Sequence, residues 1–371
     1  MRVVVAPDKF KGSIDAAGAA AALAAGVRDV IADAVCDLVP MADGGDGTVA
    51  AFLATGAAPR TVRVTGPLGA PADATYARDG DAAIVEMAAA SGLVLVRGHA
   101  DARRATTRGT GELLRDALDR GATRIVLGIG GSATTDGGAG ALAALGARFF
   151  DACGAELEPL PEALARVARV DLSALDARLR SVDLAVACDV DNPLLGASGA
   201  AAVYGPQKGA SPEDVAYLDG MLARLADAMT AATGRDLRAL AGAGAAGGLG
   251  WALASACGAR LERGVALVAE VRGLARALDG ADWCFTGEGR IDEQTLHGKV
   301  VDGVAALARA ANVPVIAFGG SVDPAVEPAL RARGVRCVPI VPGPASLEEA
   351  LRDAEANLRS AAARVAGLLF R

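Results

Sequence analysis

Short apolar, mostly β-branched runs recur along the chain, each closing in a polar or glycine-rich loop. They are Val3-Val4-Val5, 35–39, Arg124-Ile125-Val126-Leu127, Leu184-Ala185-Val186-Ala187, Trp283-Cys284-Phe285, Val313-Pro314-Val315-Ile316 and 335–341. Alanine- and leucine-rich helical stretches separate most of them. Continuous apolar strands alternating with helices predict a parallel, doubly wound α/β sheet buried on both faces. One part has another period. Thr61-Val62-Arg63-Val64-Thr65 alternates apolar and polar, Gly66-Pro67-Leu68-Gly69 turns, and segments 74–78 and 82–87 follow. This predicts antiparallel strands with one wet face. The change of pattern predicts a second α/β domain with a mixed sheet, inserted over 61–240. The outer domain then combines 1–60 with 241–371, and the cleft between them is the expected ligand site.

Helix boundaries are also marked. Ser211-Pro212-Glu213-Asp214 predicts an N-cap, a proline at the first helical position and acids in the first turn. Ser346 and Glu349 form a capping box ahead of a long C-terminal helix. Gly121 suits a C-cap for a helix over 112–120.

Composition narrows the function. The chain has 371 residues, enough for two domains with sizeable cores. Its net charge of −7, with no long basic stripe, argues against nucleic acid or an anionic membrane. The opening MRVVVAPDKFKG is too short an apolar run for a signal peptide. The longest uncharged stretch, 240–259, carries six glycines and predicts a buried helix with a glycine-rich entry, not a membrane span. The six cysteines occur without a CxxC and predict reduced core thiols in a cytoplasmic protein. With only two histidines, His99 and His297, a histidine-based metal site is not expected. His99 reads as a surface-loop residue and His297 as a candidate phosphate contact.

In open α/β sheets ligands sit beyond the carboxyl ends of the strands. The loops expected there carry Asp8, Lys9, Lys11 and Ser13; Asp43, Gly44, Gly45 and Asp46; Gly130, Gly131, Ser132 and Thr134; Asp189, Asp191 and Asn192; Gly287, Glu288, Arg290 and Asp292; and Gly319-Gly320-Ser321. Carboxylates, a few cations and many glycines are what phosphoryl transfer requires. Magnesium takes hard oxygen ligands and keeps several waters. Glycine-loop amides and helix N-termini bind phosphate oxygens. Lysine or arginine neutralises the transferring group, and one aspartate orients or deprotonates a hydroxyl.

Two glycine motifs invite a dinucleotide reading. Gly128-Ile129-Gly130-Gly131-Ser132-Ala133 fits GxGxxA, but no apolar strand ending in an acid follows about twenty residues on, as the fingerprint requires. Phe149-Phe150-Asp151 comes closest, and the acidic, proline-rich segment after it argues against a second Rossmann strand. Gly242-Ala243-Gly244-Ala245-Ala246-Gly247 fits GxGxxG without a preceding strand, so close helix packing or a phosphate loop suits it better. No GxxxxGK[ST] occurs. Lys299 opens a helix over 300–310, where a cation opposes the macrodipole unless an anion binds there.

Taken together, APDKFKGS (6–13), PMADGGDGT (40–48), GIGGSATTDGGAGALAALGA (128–147), ACDVDNPLLG (187–196), AAVYGPQKGA (201–210), GAGAAGGLG (242–250) and FTGEGRIDEQTLHGKV (285–300) resemble the type I glycerate kinases. The resemblance runs in family order over nearly the whole chain. It implies ATP-dependent phosphorylation of D-glycerate, mostly to 2-phosphoglycerate, with 3-phosphoglycerate as the alternative product. It implies one Rossmann- or flavodoxin-like domain, one inserted domain, and a site in their cleft. On the chemistry above, Asp189 or Asp191 is the candidate base. Lys9 and Arg290 are candidates for the glycerate carboxylate or γ-phosphate. Asp43, Asp46 and Glu288 are candidates for Mg2+. The glycerate- or phosphate-binding candidates are Asp8, Lys11, Ser13, Gly44, Gly45, Gly130, Gly131, Ser132, Thr134, Asn192, Gly287 and Lys299. No nucleic-acid or membrane partner is expected, and the chain would be a monomer or homodimer. The rival readings are an NAD-dependent hydroxy-acid dehydrogenase and a non-catalytic sugar-acid sensor.

Overall fold

A computed structural model describes residues 1–45 and 47–369. In chain order the strands are β1 (Arg2–Val5), β2 (Val35–Leu38), β3 (Ala58–Thr65), β4 (Pro71–Asp79), β5 (Ala82–Glu86), β6 (Arg124–Gly128), β7 (Arg148–Asp151), β8 (Val167–Asp171), β9 (Asp183–Ala187), β10 (Arg260–Glu262), β11 (Trp283–Ile291), β12 (Val315–Val322) and β13 (Val335–Pro339). The chain divides into two compact units, residues 1–43 with 265–371, and residues 44–264. The sequence pattern put the boundaries at 60/61 and 240/241. The three-residue strand β10, too short to stand out in the pattern, pairs with β9 and holds the 260s in the second unit.

The first unit has a five-stranded sheet in the order β13-β12-β11-β1-β2. Every neighbouring pair is parallel. Counted within this unit alone, the order is 2-1-3-4-5, the flavodoxin-like doubly wound order. Its core packs Val3, Val5, Leu23, Phe285, Phe318 and Leu358. The helices Ala16–Val30 and Ala354–Leu369 meet where Gly26 lies, and a Cβ there would stand 2.1 Å from the Arg359 carbonyl oxygen.

The second unit has a six-stranded mixed sheet, β10-β9-β6-β5-β4-β3. β3–β4 and β4–β5 are antiparallel, as the alternating period predicts, while β5, β6, β9 and β10 run parallel. β7 and β8 form a separate antiparallel hairpin. Phe149-Phe150-Asp151 is therefore not a second Rossmann strand. The core includes Leu113, Leu127, Phe149, Leu222 and Trp251.

Both capping boxes form, but the one at Ser346 heads a six-residue helix, and the long C-terminal helix starts separately at Ala354. Ser211 caps Pro212–Thr233 and Ser346 caps Leu347–Arg352, each with a reciprocal capping box. Two further segments differ from expectation. Residues 286–291 and 318–321, read as loops, are continuations of β11 and β12. Their glycines permit it. A Cβ on Gly287 would lie 2.4 Å from the Phe318 carbonyl oxygen, and one on Gly320 would lie 2.5 Å from that of Gly289. Without side chains at these points the ladder runs on through Arg290↔Ser321 and Ile291↔Val322. The expectation of six core thiols also needs correction, because Cys153 is exposed in the turn after β7. Among the described residues no helix is long and apolar enough to cross a membrane.

Candidate active site

In the second unit, β6 and β9 are parallel neighbours that end in register at Gly128 and Ala187. Their carboxyl ends open on a cavity of about 340 Å3. One wall is Ile129-Gly130-Gly131-Ser132 and the other is Cys188-Asp189-Val190. The glycine loop is pinned from one side. Leu93 N donates to Gly131 O at 2.9 Å, and Ala133 N donates to Ser91 O at 2.9 Å. The backbone N–H groups of Gly130, Gly131 and Ser132 have no partner among the described residues. Consecutive N–H groups without a protein acceptor form a concavity suited to an anion.

Gly44 and Gly45 also line this cavity. Gly44 has φ +79°, and a Cβ there would come 2.6 Å from the Ala187 Cβ and 2.8 Å from the Gly264 Cα. Glycine is required at this close approach. Asp46, from the same loop, lies outside the described residues.

Asp189 lines the cavity. Its Oδ1 accepts from Gly264 N at 3.1 Å, and its carbonyl accepts from Arg263 Nη1 at 2.6 Å. Asp191 faces solvent, 3.4 Å from Arg263 Nη2. Asn192 spends its amide on Tyr204, whose hydroxyl donates at 2.6 Å, and on the Ser198 carbonyl at 2.8 Å. Only the first of these three residues is placed on the cavity wall. Thr134 is fully buried behind the glycine loop, and its Oγ1 has no partner.

Behind that loop stand two buried residues that sequence reasoning missed. Asp136 accepts from Thr107 N and Oγ1, both at 2.7 Å, and from Gly138 N and Gly140 N at 3.0 and 3.2 Å. Burial pushes its carboxyl up, against those hydrogen bonds. Lys208 donates from Nζ to the Thr134 carbonyl at 2.6 Å. Burial pushes its ammonium down to about 7, with Asp136 opposing. Nothing in the linear sequence marks either residue as buried.

The first unit gathers charges at its own switch point, where β1 and β11 are neighbours. Asp8 is buried at the end of β1, and its Oδ1 accepts from Lys9 N at 2.7 Å. Its carboxyl is raised to about 6 by burial and by Asp43, while Lys9 and Lys299 work against this. Glu288, buried in β11, accepts from Thr295 Oγ1 at 2.5 Å. Burial raises it to about 7, Thr295 and Lys299 oppose, and Asp8 and Asp292 add to the rise. Lys299 is the N-cap of the helix Val300–Ala310, with Nζ 2.8 Å from Gln294 Oε1. Asp8, Asp43, Glu288, Lys9 and Lys299 thus share one electrostatic neighbourhood.

Other candidates lie at its margin or are spent locally. Arg290 is exposed and pairs with Asp292 at 3.1 Å. Lys11 and Ser13 are exposed, with Ser13 Oγ donating to Phe10 O at 3.0 Å. Gly287 is buried in the sheet by its contact with Phe318. His99 and His297 are both exposed. Among the described residues no group of three or more His, Cys, Asp or Glu side chains is arranged to hold a metal ion.

These two strand-end clusters belong to a chain with clear relatives. The model of the glycerate kinase family matches residues 3–370. A glycerate kinase of Bacillus subtilis is 46% identical over 99% of this chain and 97% of its own length. A glycerate 2-kinase of Escherichia coli is 43% identical over 100% of this chain and 98% of its own. The crystal structure of a putative glycerate kinase 2 from Salmonella typhimurium superposes with a TM-score of 0.88 at 45% identity, covering 100% of this chain and 98% of that one. The chain belongs to the glycerate kinase family.

Proposed function

We propose that this chain transfers the γ-phosphoryl group of ATP to D-glycerate and forms 2-phosphoglycerate. The observation that carries this reading is the match to the glycerate kinase family over residues 3–370, with relatives that include one named a glycerate 2-kinase. The geometry supports it. In the second unit, the N–H groups of Gly130, Gly131 and Ser132 would hold anionic oxygens. The Asp189 carboxylate on the facing wall would accept or orient the proton of a hydroxyl. Asp191, joined to the same Arg263, is the second candidate for that role.

In the first unit, Lys9 and Lys299 supply positive charge, and Arg290 supplies a planar fork suited to carboxylate or phosphate. Asp43 and Glu288 offer the hard oxygen donors that Mg2+ prefers, and Asp8 adds repulsion that a cation would relieve. Magnesium would supply charge neutralisation for the phosphates, keeping water and phosphate oxygens as its remaining ligands. A cytoplasmic location accords with the unpaired cysteines.

The test is direct. The protein is incubated with D-glycerate, ATP and magnesium, ADP is followed, and the product is resolved by phosphorus NMR. ADP formation no greater than in the glycerate-free blank would sink the kinase reading. A 3-phosphoglycerate resonance would overturn the proposed regiochemistry alone.

A further inference from the structure

Lys208 ends the short turn Pro206–Lys208 and is only 1% exposed. A lysine has three N–H donors, and here one is used, to the Thr134 carbonyl. The carboxylate that opposes its loss of charge, Asp136, already accepts from Thr107, Gly138 and Gly140. The hydroxyls of Thr134 and Thr135 are buried without partners. A core built for stability alone would fill this volume with apolar side chains throughout, without desolvating an amine.

The location of the Thr134 carbonyl gives the arrangement a purpose. Thr134 comes two residues after Ser132, which lines the cavity, and Lys208 directly follows Gln207, which also lines it. On another side the carbonyl is met by Gly247, where a Cβ would stand 2.1 Å away. Gly247 in turn accepts at its own carbonyl from Gly137 N at 2.9 Å. Its neighbour Ala246 lines the cavity in a left-handed conformation, φ 51° and ψ 35°, which an alanine adopts only under constraint. Lys208 and the 246–247 turn thus clasp one carbonyl at the base of the glycine loop.

We propose that Lys208 is a positioning residue: its hydrogen bond to Thr134 O holds Gly130–Ser132 in the conformation that presents their N–H groups to an anionic oxygen of a substrate. This rests on the phosphoryl-transfer reading of the cavity.

The test uses the full chain with Lys208→Met, measuring kcat, KM for glycerate and for ATP, and Tm. The KM of one substrate should rise at least about tenfold while kcat changes less than about threefold, because a ground-state contact is lost. Tm should fall, because the Asp136 carboxylate and the Thr134 carbonyl stay buried without the ammonium. Both KM values within about twofold of wild type would overturn the proposal. So would a Met variant that fails to fold, or one whose Tm falls while both KM values stay, since Lys208 would then be structural. Lys208→Gln keeps an N–H donor without the charge and should recover the KM to within about threefold of wild type. A Gln variant as impaired as Met overturns the carbonyl-holding role. Wild-type protein that makes no glycerate-dependent ADP would count against the kinase reading instead. Calorimetric titration of ATP and of glycerate into wild type and Lys208→Met would then decide the role of Lys208, through an affinity loss of at least about tenfold or none.

Discussion

Asp189 and Gly44 are both placed by the backbone around them, but they do different work. Asp189 presents a carboxylate on the cavity wall, steadied by Gly264 N. Replacing it with asparagine keeps the shape and removes the base, so kcat should fall at least about a hundredfold if this side chain takes the hydroxyl proton. Steady-state rates near wild type would pass the role to Asp191. Gly44 brings backbone, not a side chain, to the cavity wall. A Gly44→Ala chain must place a Cβ against Ala187 and Gly264 at a positive φ. Urea unfolding should register a loss of roughly 2 kcal/mol or more. The carboxyls of the first unit set a pH dependence. Glu288 is raised to about 7 from 4.5 and Asp8 to about 6 from 3.8. Their folded values exceed their unfolded ones, so the fold binds more protons in the window between. The stability they contribute is full below about pH 4 and is lost as pH rises through 6 and 7. Glu288→Gln should remove much of that slope. Relative to wild type it should gain on the order of 2 kcal/mol between pH 5 and pH 8, without nucleotide or metal. An equal slope in both proteins, measured by urea unfolding, would refute the assignment.

Caps and close approaches govern the elements. Ser211 and Asp214 close a reciprocal box at the start of Pro212–Thr233. Ser211→Ala should cost about 1 kcal/mol in chemical denaturation, and an unchanged midpoint would deny the cap its role. Such boxes are legible in a sequence because both partners lie within one turn. The extended ends of β11 and β12 were not legible. TGEGRID and FGGS look like loops because glycine usually ends a strand. Here the same glycines let two strands approach until backbone oxygen replaces side chain, and the ladder continues. Glycine composition alone does not say whether the missing Cβ makes room for a turn, a ligand or a neighbouring strand. The 242–248 segment behaves similarly. Its GxGxxG spacing serves close packing, with Gly244 near the Pro193 carbonyl oxygen and Gly247 near that of Thr134.

At the scale of the molecule, the second unit is one uninterrupted stretch, 44–264, with its own six-stranded sheet and core. Produced alone, that stretch should fold and unfold in one cooperative urea transition, because its sheet and core need no residue from outside it. A fragment without such a transition would refute that autonomy. The sequence by itself determined the alternation of strands and helices, the antiparallel patch at 61–87, the helix caps, and which segments after the apolar runs carry carboxylates and cations. It could do so because periodicity, capping and turn chemistry act over a few residues. Tertiary structure alone decided that β5 joins antiparallel and parallel halves of one sheet, and that Asp189 lines a cavity while Asp191 faces water. It also put Asp8 and Glu288 close enough to disturb each other and buried Lys208 beneath the glycine loop. Those outcomes depend on burial and on distances between residues far apart in the chain, and neither quantity exists until the chain has packed.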